Sequence, residues 1–361
     1  PDARPGDCVS VYDRKGQRFG SALYNPHSNI ALRMISFSDE PISDEFWQRT
    51  IRRAVDLRVS ILNLPAATEA FRVVHAEGDE LSGLVVDQYR DVLSISIYSL
   101  GMWRLADTLL PMLLESTGVG HYVVRADKVV GQREGFAPES YSSPRAPKTI
   151  DIREHGIRFR VPMDIGHKTG FFCDQRDNRL RFSGMVSGAD VLDLCCFSGG
   201  FGVYAKVRGG ARSVKCVDLD EKAVAVARQN ANLNQARVDV LQSDVFTYMR
   251  QMKINEAQYG AVVLDPPKLI FGKQEDEGGL FKYRDLNKLA CGLVKPGGVL
   301  LSCSCSGALS REEFVHLVTA AARQIHRRYQ ILDVTGAAMD HPVHANCPES
   351  AYLKAVWLRL Y

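Results

Sequence analysis

The stretch ADVLDLCCFSGGFGVYA, residues 189–205, decides the fold class of this chain. It starts as an apolar, strand-like run, passes through a glycine-rich turn and continues as an apolar helix pattern. Glycines at such a turn let the backbone approach a ligand closely, and the helix that follows offers unpaired amide groups at its N-terminus. The stretch therefore predicts the first strand, turn and helix of an α/β domain that binds a nucleotide-like cofactor.

The same alternation of strand and helix patterns continues along the chain, which predicts a doubly wound parallel sheet from about residue 166 to the end. An aspartate lies at or near the end of four of these strands: Asp193, Asp218, Asp244 and Asp265. Ligands of such sheets gather at the carboxyl ends of the strands, and an acid after the second strand is positioned to bind ribose hydroxyls. Four acids in this register predict one site along a single edge of the sheet.

The composition limits which partners, locations and cysteine chemistry this protein can have. Of the 361 residues 45% are hydrophobic and 24% are charged, and the formal net charge of +3 permits a nucleic-acid partner without requiring one. No apolar run approaches the ~20 residues that cross a bilayer, so we expect no membrane association. The nine cysteines are scattered and contain no C-x-x-C pair. This pattern argues against a zinc site or a disulfide framework and predicts a cytoplasmic protein with reduced thiols.

Punctuation by Gly, Pro and Asn divides the chain into three predicted domains. Residues 1–40 read as the short strands of a small β domain, and residues 41–148 read as an α+β central domain. The central domain begins with an amphipathic helix over 43–62 and closes with a Gly-, Ser- and Pro-rich loop over 131–148. Residues 149–361 form the α/β domain, which begins with a hairpin.

The glycine turn argues against a dinucleotide as the ligand. A dinucleotide site requires G-x-G-x-x-G, which the run from Ser198 to Gly202 does not fit, and a dinucleotide explains nothing about the sequence DPPK at 265–268. The arrangement instead resembles class I S-adenosylmethionine-dependent methyltransferases, which have a Rossmann-like sheet. In that family DLCCFSGGFG is motif I, Asp218 is the ribose acid, Asp244 neighbours the adenine amine and DPPK is the catalytic motif IV.

A closer resemblance covers essentially the whole chain. GHKTGFFCDQRDNR (166–179), CCFSGGF, DPPK, SCSG and DHPVHANCPESAYLK (340–354) are similar to motifs of the bacterial large-subunit ribosomal RNA 5-methylcytosine methyltransferases. GDCVSVYDRKGQRFGSALYNPHSNIALR resembles the RNA-binding PUA domain of that family, and RADKVVGQREGF resembles the loop that closes its central domain. The family carries an extra strand and helix before the position of Pro1, so we expect an N-terminally incomplete PUA-like domain.

Carbon 5 of cytosine needs activation before it can accept a methyl group, and a thiolate that adds to carbon 6 supplies it. The resemblance assigns this thiolate to Cys305. The fourth and fifth strands should be neighbours about 5 Å apart, so that Asp265 and Cys305 face one flipped base, whose edge Asp265 would bind. Cys303 lies one pleat deeper and is expected in the core. His341 is either the base that removes the carbon-5 proton or a structural loop histidine.

The remaining candidates follow from these motifs. Gln175 and Arg176 are implied by the resemblance as contacts of the cofactor's carboxylate or of the substrate, and Cys195 either lines the cofactor turn or packs. Arg125 and Arg133 either contact RNA phosphates or belong to a solvated basic loop. The full set of predicted cofactor residues is Asp193, Cys195, Phe197, Ser198, Gly199, Gly200, Phe201, Asp218, Leu219, Asp244, Val245, Asp265, Pro266, Gln175 and Arg176. The predicted substrate residues are Lys168, Phe172, Pro267, Lys268, Arg125 and Arg133.

The leading hypothesis is therefore cytosine-5 methylation of large-subunit ribosomal RNA by a cytoplasmic enzyme, with a homodimer left open. Three alternatives remain at this stage. Methylation of an exocyclic amine, at guanine N2 or adenine N6, also uses a D-P-P motif and needs no cysteine. Uracil carbon 5 needs the same thiolate as cytosine. A non-catalytic RNA-binding assembly protein could retain the fold, although the intact motifs argue against decay.

Overall fold

The computed structural model describes residues 3–163, 170–270, 272 and 276–361. The chain divides into two compact units. The first unit comprises Pro1–Glu154, Val161–Cys173 and Met339–Ser350, and the second comprises His155–Arg160, Asp174–Ala338 and Ala351–Tyr361. Among the described residues, no helix is both long enough and apolar enough to cross a membrane.

The first unit opens with a three-stranded antiparallel sheet. Its strands, in spatial order, are β1 (Cys8–Tyr12), β2 (Arg18–Tyr24) and β3 (Leu32–Ser36). The β1–β2 turn is closed by Asp13, whose Oδ1 accepts hydrogen bonds from the amides of Lys15 and Gln17. Such turns are a common use of Asp side chains. The short strands predicted for this segment are confirmed.

The predicted helix at 43–62 is present as α1 (Asp44–Asp56), which continues into a π-helical turn at Leu57–Ile61. Ser43 caps it, because its Oγ accepts a hydrogen bond from the amide of Phe46. The helical spacing of its apolar residues buries Phe46, Trp47, Thr50, Ile51 and Ala54.

A five-stranded sheet forms the rest of the first unit, with only the β6–β7 pair parallel. Its strands are β4 (Ala70–His75), β5 (Leu84–Tyr89), β6 (Val92–Ile97), β7 (His121–Ala126) and β8 (Tyr141–Ser142), with α2 (Leu100–Thr117) and α3 (Lys128–Glu134). The sequence predicted a loop over 131–148, but this stretch contains the end of α3 and the short strand β8. The Asp127 carboxylate caps the short α3, and Gly135 ends it with a φ of 76°.

A hairpin follows along the chain, with strands β9 (Thr149–Glu154) and β10 (Ile157–Pro162). It turns at His155 and Gly156, where the sequence predicted the turn. Both turn residues have positive φ, 48° and 83° respectively, which matches the left-handed conformations of tight two-residue hairpin turns.

The second unit is a seven-stranded sheet with an α-helix between each pair of successive strands from β11 to β16. Its elements are α4 (Arg176–Ser183), β11 (Asp190–Leu194), α5 (Gly200–Val207), β12 (Ser213–Asp218), α6 (Glu221–Leu233), β13 (Asp239–Gln242), α7 (Val245–Ile254), β14 (Tyr259–Leu264), α8 (Asp276–Leu293), β15 (Val294–Ser304), α9 (Arg311–Gln324), β16 (Tyr329–Thr335) and β17 (Lys354–Leu360). The strand order is β13-β12-β11-β14-β15-β17-β16. The Rossmann-like α/β class is confirmed, and the neighbouring pairs from β13 to β15 are parallel.

The sheet is not parallel throughout, because β17 pairs antiparallel with both β15 and β16. Alternate side chains of its strands supply two cores, one on each face. On β11, Leu192 and Leu194 belong to the core that contains Tyr283, whereas Val191 belongs to the core that contains Cys303. This packing fixes the register of the strands and places their carboxyl ends along one edge.

Candidate functional site

The glycine-rich turn lies between β11 and α5 and holds a strained backbone. Cys195 and Phe197 have positive φ, 58° and 47°, and Gly199 has a φ of 78°. Such conformations cost L-residues of order 1–3 kcal/mol each and persist where the surroundings impose them. One restraint is the hydrogen bond of 2.8 Å from the Phe197 amide to the Asp218 carboxylate.

Gly202, in the first turn of α5, has no room for a side chain. A Cβ on Gly202 would lie 2.2 Å from the Cys216 sulfur. The close approach lets the Gly202 amide donate a 2.9 Å hydrogen bond to Asp193 Oδ2. Gly200 and Phe201, also predicted cofactor residues, form the first turn of α5 and are buried, as is Ser198 just before it.

Asp193 is the most perturbed carboxyl of the site. It is 1% exposed, and its Oδ1 has no hydrogen-bond partner among the described residues. The pKa of Asp193 is raised to about 7, first by burial and then by the negative charges of Asp265 and Asp218, against the opposing hydrogen bond from Gly202. A buried oxygen without a donor favours binding of a cationic or hydrogen-bond-donating ligand group.

Two acids lie farther along the same edge. Asp218 ends β12, and the next residue, Leu219, exposes 65% of its surface, so a large apolar side chain borders the turn. Asp244 is exposed after β13 and caps α7, because its Oδ1 accepts hydrogen bonds from the Thr247 amide and hydroxyl. The cap accounts for one oxygen of Asp244, and half-buried Val245 begins the helix beside it.

Asp265 follows β14 directly, and its amide donates to the Leu194 carbonyl over 3.2 Å, which ties two neighbouring strand ends together. Gln175 Nε2 donates to Asp265 Oδ2 at 3.0 Å, and Gln175 Oε1 accepts from Asn178 Nδ2 at 2.7 Å. The amide group of Gln175 therefore orients Asp265. Arg176, predicted with it, is 2% exposed at the start of α4.

The three residues that follow Asp265 in the DPPK motif differ in their exposure to solvent. Pro266 is buried, whereas Pro267 and Lys268 are exposed beyond the strand end. The motif thus offers one anchored residue and two that a substrate can reach.

Cys305 follows β15, the parallel neighbour of β14, and the predicted adjacency of these strands is confirmed. Its side chain is half-buried, whereas Cys303 is fully buried in the core, as predicted. The pKa of the Cys305 thiol is raised to about 11, first by burial and then by the charges of Asp265 and Asp174, while a backbone hydrogen bond at Cys305 and the charge of Lys268 oppose the rise. The Asp265 carboxylate and the Cys305 thiol are therefore electrostatic neighbours at two adjacent strand ends.

Sequence reasoning missed the side chains that hold the Cys305 loop. Tyr283 OH lies 3.0 Å from Ser306 Oγ and accepts a 2.9 Å hydrogen bond from Ser304 Oγ. Lys354 Nζ donates to the carbonyl of Ser306 at 2.6 Å. One signal was available for Lys354, since it is a lone charge at the start of the apolar run KAVWL. The contacts themselves join residues that are far apart in the sequence, so no local sequence pattern indicates them.

Several predicted substrate residues belong to the first unit, and Lys168 lies outside the described residues. Phe172 is half-buried, and Arg133 is exposed near the end of α3. Arg125 is half-buried, with Nε donating to Ser94 Oγ at 3.1 Å and a second nitrogen donating to the Met163 carbonyl. Arg125 thus has a structural role in its own unit, whereas Arg133 presents its charge to solvent.

His341 also belongs to the first unit and is 5% exposed. Its Nδ1 lies 3.1 Å from Asp340 Oδ1, and its ring contacts His75 edge-to-face at 5.0 Å between centroids. Its Nε2 has no hydrogen-bond partner among the described residues. The ring is therefore held through one nitrogen.

The parallel strand ends, the glycine turn and the aligned acids are the arrangement of S-adenosylmethionine-dependent methyltransferases. Residues 106–357 match the family described by that name, and residues 1–37 match the PUA-like domain. The chain is 35% identical over 356 residues to Ribosomal RNA large subunit methyltransferase I of Vibrio cholerae, covering 97% of this chain and 89% of that protein. The same-named protein of Shewanella denitrificans is 35% identical over 365 residues, with 99% and 91% coverage.

Solved structures agree at the level of fold. A crystal structure described as a methyltransferase complexed with SAH has a TM-score of 0.87 at 20% identity, covering 99% of this chain and 92% of that one. A protein described as a SAM-dependent methyltransferase from Streptococcus mutans has a TM-score of 0.85 with the same identity and coverage. The chain therefore belongs to the S-adenosylmethionine-dependent methyltransferase family that includes the Ribosomal RNA large subunit methyltransferase I proteins.

The residues present fit S-adenosylmethionine as the cofactor. The unpartnered Oδ1 of Asp193 suits the cofactor's cationic end, since a buried acceptor without a donor favours such a group. The Asp218 carboxylate, at the end of β12, would be the acceptor for the cofactor's ribose hydroxyls, and exposed Leu219 would offer apolar surface beside it. Among the described residues, no group of three or more His, Cys, Asp or Glu side chains could hold a metal ion.

Proposed function

We propose that this protein methylates carbon 5 of a cytosine in large-subunit ribosomal RNA, acting in the cytoplasm, through a covalent adduct of Cys305. The names of the 35%-identical relatives support RNA of the large ribosomal subunit as the substrate. The observation that carries the proposed chemistry is the pairing of the Cys305 thiol with the Asp265 carboxylate at the ends of adjacent parallel strands. An exocyclic-amine methyltransferase would need only Asp265.

The proposed reaction begins when the Cys305 thiol loses its proton to water and the thiolate adds to carbon 6 of the base. A bond forms between sulfur and carbon 6, and the electron pair of the 5,6 double bond makes carbon 5 nucleophilic. Asp265 accepts a hydrogen bond from the amine edge of the flipped cytosine, as enzymes that flip bases commonly do. S-adenosylmethionine supplies an electrophilic methyl group to carbon 5.

The adduct is then resolved by loss of the carbon-5 proton. The electron pair of that C–H bond re-forms the 5,6 double bond, and the sulfur–carbon 6 bond breaks to release Cys305. We assign the proton to His341, because Asp340 holds its Nδ1 and its Nε2 has no partner among the described residues. A histidine held at one nitrogen presents the other in a defined tautomer.

The decisive experiment compares Cys305→Ser with Cys303→Ala, which removes the neighbouring thiol of the same strand from the core. Each variant is incubated with S-adenosylmethionine and large-subunit ribosomal RNA, and the RNA is digested for nucleoside mass spectrometry. We expect 5-methylcytidine with the wild type and with Cys303→Ala, and none with Cys305→Ser. Methylation that survives in Cys305→Ser excludes the covalent route.

The product also separates the alternatives. N2-methylguanosine or N6-methyladenosine would replace the proposal by exocyclic-amine methylation, and 5-methyluridine would move the same thiolate chemistry to uracil. RNA containing 5-fluorocytosine adds a second readout, because fluorine at carbon 5 prevents proton loss and should trap the Cys305 adduct. An RNA-bound protein without any methylated product would favour a binding role.

A further inference from the structure

Lys354 is a buried lysine whose partners are all neutral. It begins β17 opposite Ser304 of β15, and it is 3% exposed. Its Nζ donates to the Ser306 carbonyl at 2.6 Å and to the Tyr352 carbonyl at 2.9 Å. Within the described residues no carboxylate forms an ion pair with Lys354. Lysine is almost never fully buried unless it is paired, so this placement calls for an explanation.

The charges around Lys354 identify the missing partner. The pKa of Lys354 is lowered to about 8, chiefly by burial and also by the charge of Lys268, while Cys305 and Glu313 act to raise it. The interaction with Cys305 is the larger of the two contributions that favour the ammonium, and it requires the thiolate. The Lys354 ammonium is therefore held at the carbonyl of the residue after Cys305, and Cys305 becomes an anion only when its thiol ionises.

Cys305 is otherwise surrounded by groups that oppose its ionisation. Burial and the carboxylates of Asp265 and Asp174 all favour the neutral thiol, whereas a backbone hydrogen bond at Cys305 and the charge of exposed Lys268 favour the thiolate less strongly. Thiolates form near neutral pH where a cation is close by, as at Lys, Arg or protonated His. A thiol held in this acidic surrounding needs such a cation if it is to act as a nucleophile.

We propose that Lys354 is a positioning residue for Cys305, whose ammonium holds the Ser306 carbonyl and stabilises the adjacent thiolate. The hydrogen bond to Ser306 fixes the backbone one residue after the thiol, and the charge offsets the repulsion from the two carboxylates. This inference rests on the proposed role of Cys305 as the nucleophile. It adds a residue from β17 to a reaction that is otherwise assigned to Asp265, Cys305 and His341.

The test measures the ionisation of Cys305 directly, by alkylation with iodoacetamide as a function of pH. The full-length protein is sampled over time, and modification of the Cys305 peptide is quantified by mass spectrometry, which separates it from the other cysteines. Lys354→Gln keeps a hydrogen-bond donor without the charge, and Lys354→Arg keeps both. Tyr283→Phe is the structural control, because it removes the hydroxyl that contacts Ser304 and Ser306 and leaves the charge in place.

We expect Lys354→Gln to move the alkylation profile to higher pH by about one unit, so that Cys305 reacts about tenfold more slowly at neutral pH. Lys354→Arg should restore the profile, and Tyr283→Phe should leave its midpoint unchanged. An unshifted profile in Lys354→Gln overturns the inference, and so does an equal shift in Tyr283→Phe. If Lys354→Gln does not fold, Lys354→Met, which also removes the charge, takes its place with the same two outcomes.

The two proposals fail separately. Methylation that survives in Cys305→Ser removes the proposed nucleophile, yet the alkylation profiles still report whether Lys354 governs its ionisation. An unshifted profile in Lys354→Gln, together with an inactive Cys305→Ser, overturns the role of Lys354 alone.

Discussion

Replacing Asp193 by Asn should make the second unit more stable and weaken its hold on the cofactor. The folded protein holds the Asp193 proton up to a pH of about 7, against the ordinary value of 3.8 for aspartate. A group whose pKa is raised by folding contributes stability at low pH and loses it as the pH rises through the folded value. The contribution of Asp193 to the free energy of unfolding therefore falls between about pH 4 and about pH 7.

The size of the effect follows from the shift. A difference of about three pKa units corresponds to about 4 kcal/mol of unfolding free energy, because one unit is worth about 1.4 kcal/mol. Water penetration relieves part of this cost, so about 4 kcal/mol is the upper bound. Asn keeps an oxygen for the Gly202 amide and carries no charge to bury, so the variant avoids the stability loss that the wild type accumulates between about pH 4 and about pH 7.

The assay is hydrogen–deuterium exchange of peptides that cover β11, compared between wild type and Asp193→Asn at pH 4.5 and pH 7.5 after correction for intrinsic exchange. We expect the variant to gain protection relative to wild type at the higher pH only. Calorimetric titration with S-adenosylmethionine should show affinity at least about tenfold weaker, since the cationic end loses its acid. An equal difference in protection at both pH values refutes the reasoning.

Two further variants test the chemistry at the strand ends. Asp265→Asn should accelerate alkylation of Cys305 by several-fold to about tenfold, because it removes a negative charge that raises the thiol pKa. The same variant should lower methylation by about a hundredfold, because the base edge loses its acceptor, and Asp244→Asn, the matched control, should leave alkylation unchanged. Slower alkylation in Asp265→Asn would contradict the charge argument. His341→Gln should accumulate a covalent complex with RNA on denaturing gels and slow turnover by about a hundredfold, whereas normal turnover without a complex would remove His341 from the mechanism.

The sequence predicted those parts of the site that depend on local pattern and a general rule of topology. The aspartates at 193, 218 and 265 lie at the sheet edge because each follows an apolar run, and parallel strands end at the same edge. The separate environments of Cys303 and Cys305 followed from the two-residue repeat of a strand.

The contacts that orient these residues were not predictable, because they join positions far apart in sequence. The hydrogen bond from Gln175 to Asp265 spans 90 residues, and the one from Lys354 to Ser306 spans 48. No periodicity encodes such pairs, which appear only once the strand order is known. The antiparallel insertion of β17 was missed for the same reason, since its apolar run is also typical of a parallel strand.

The position of β17 has a consequence for the order in which the enzyme matures. It is the last of the seven strands to be synthesised, yet it lies between β15 and β16. A nascent chain that has released β11 to β15 from the ribosome can already build the glycine turn and the strand-end acids, but Lys354 has not joined them. On the proposed role of Lys354, the thiol of such a chain stays protonated. Cys305 would then react with RNA only after β17 has been added to the sheet. An incompletely synthesised chain would form no covalent adduct with RNA.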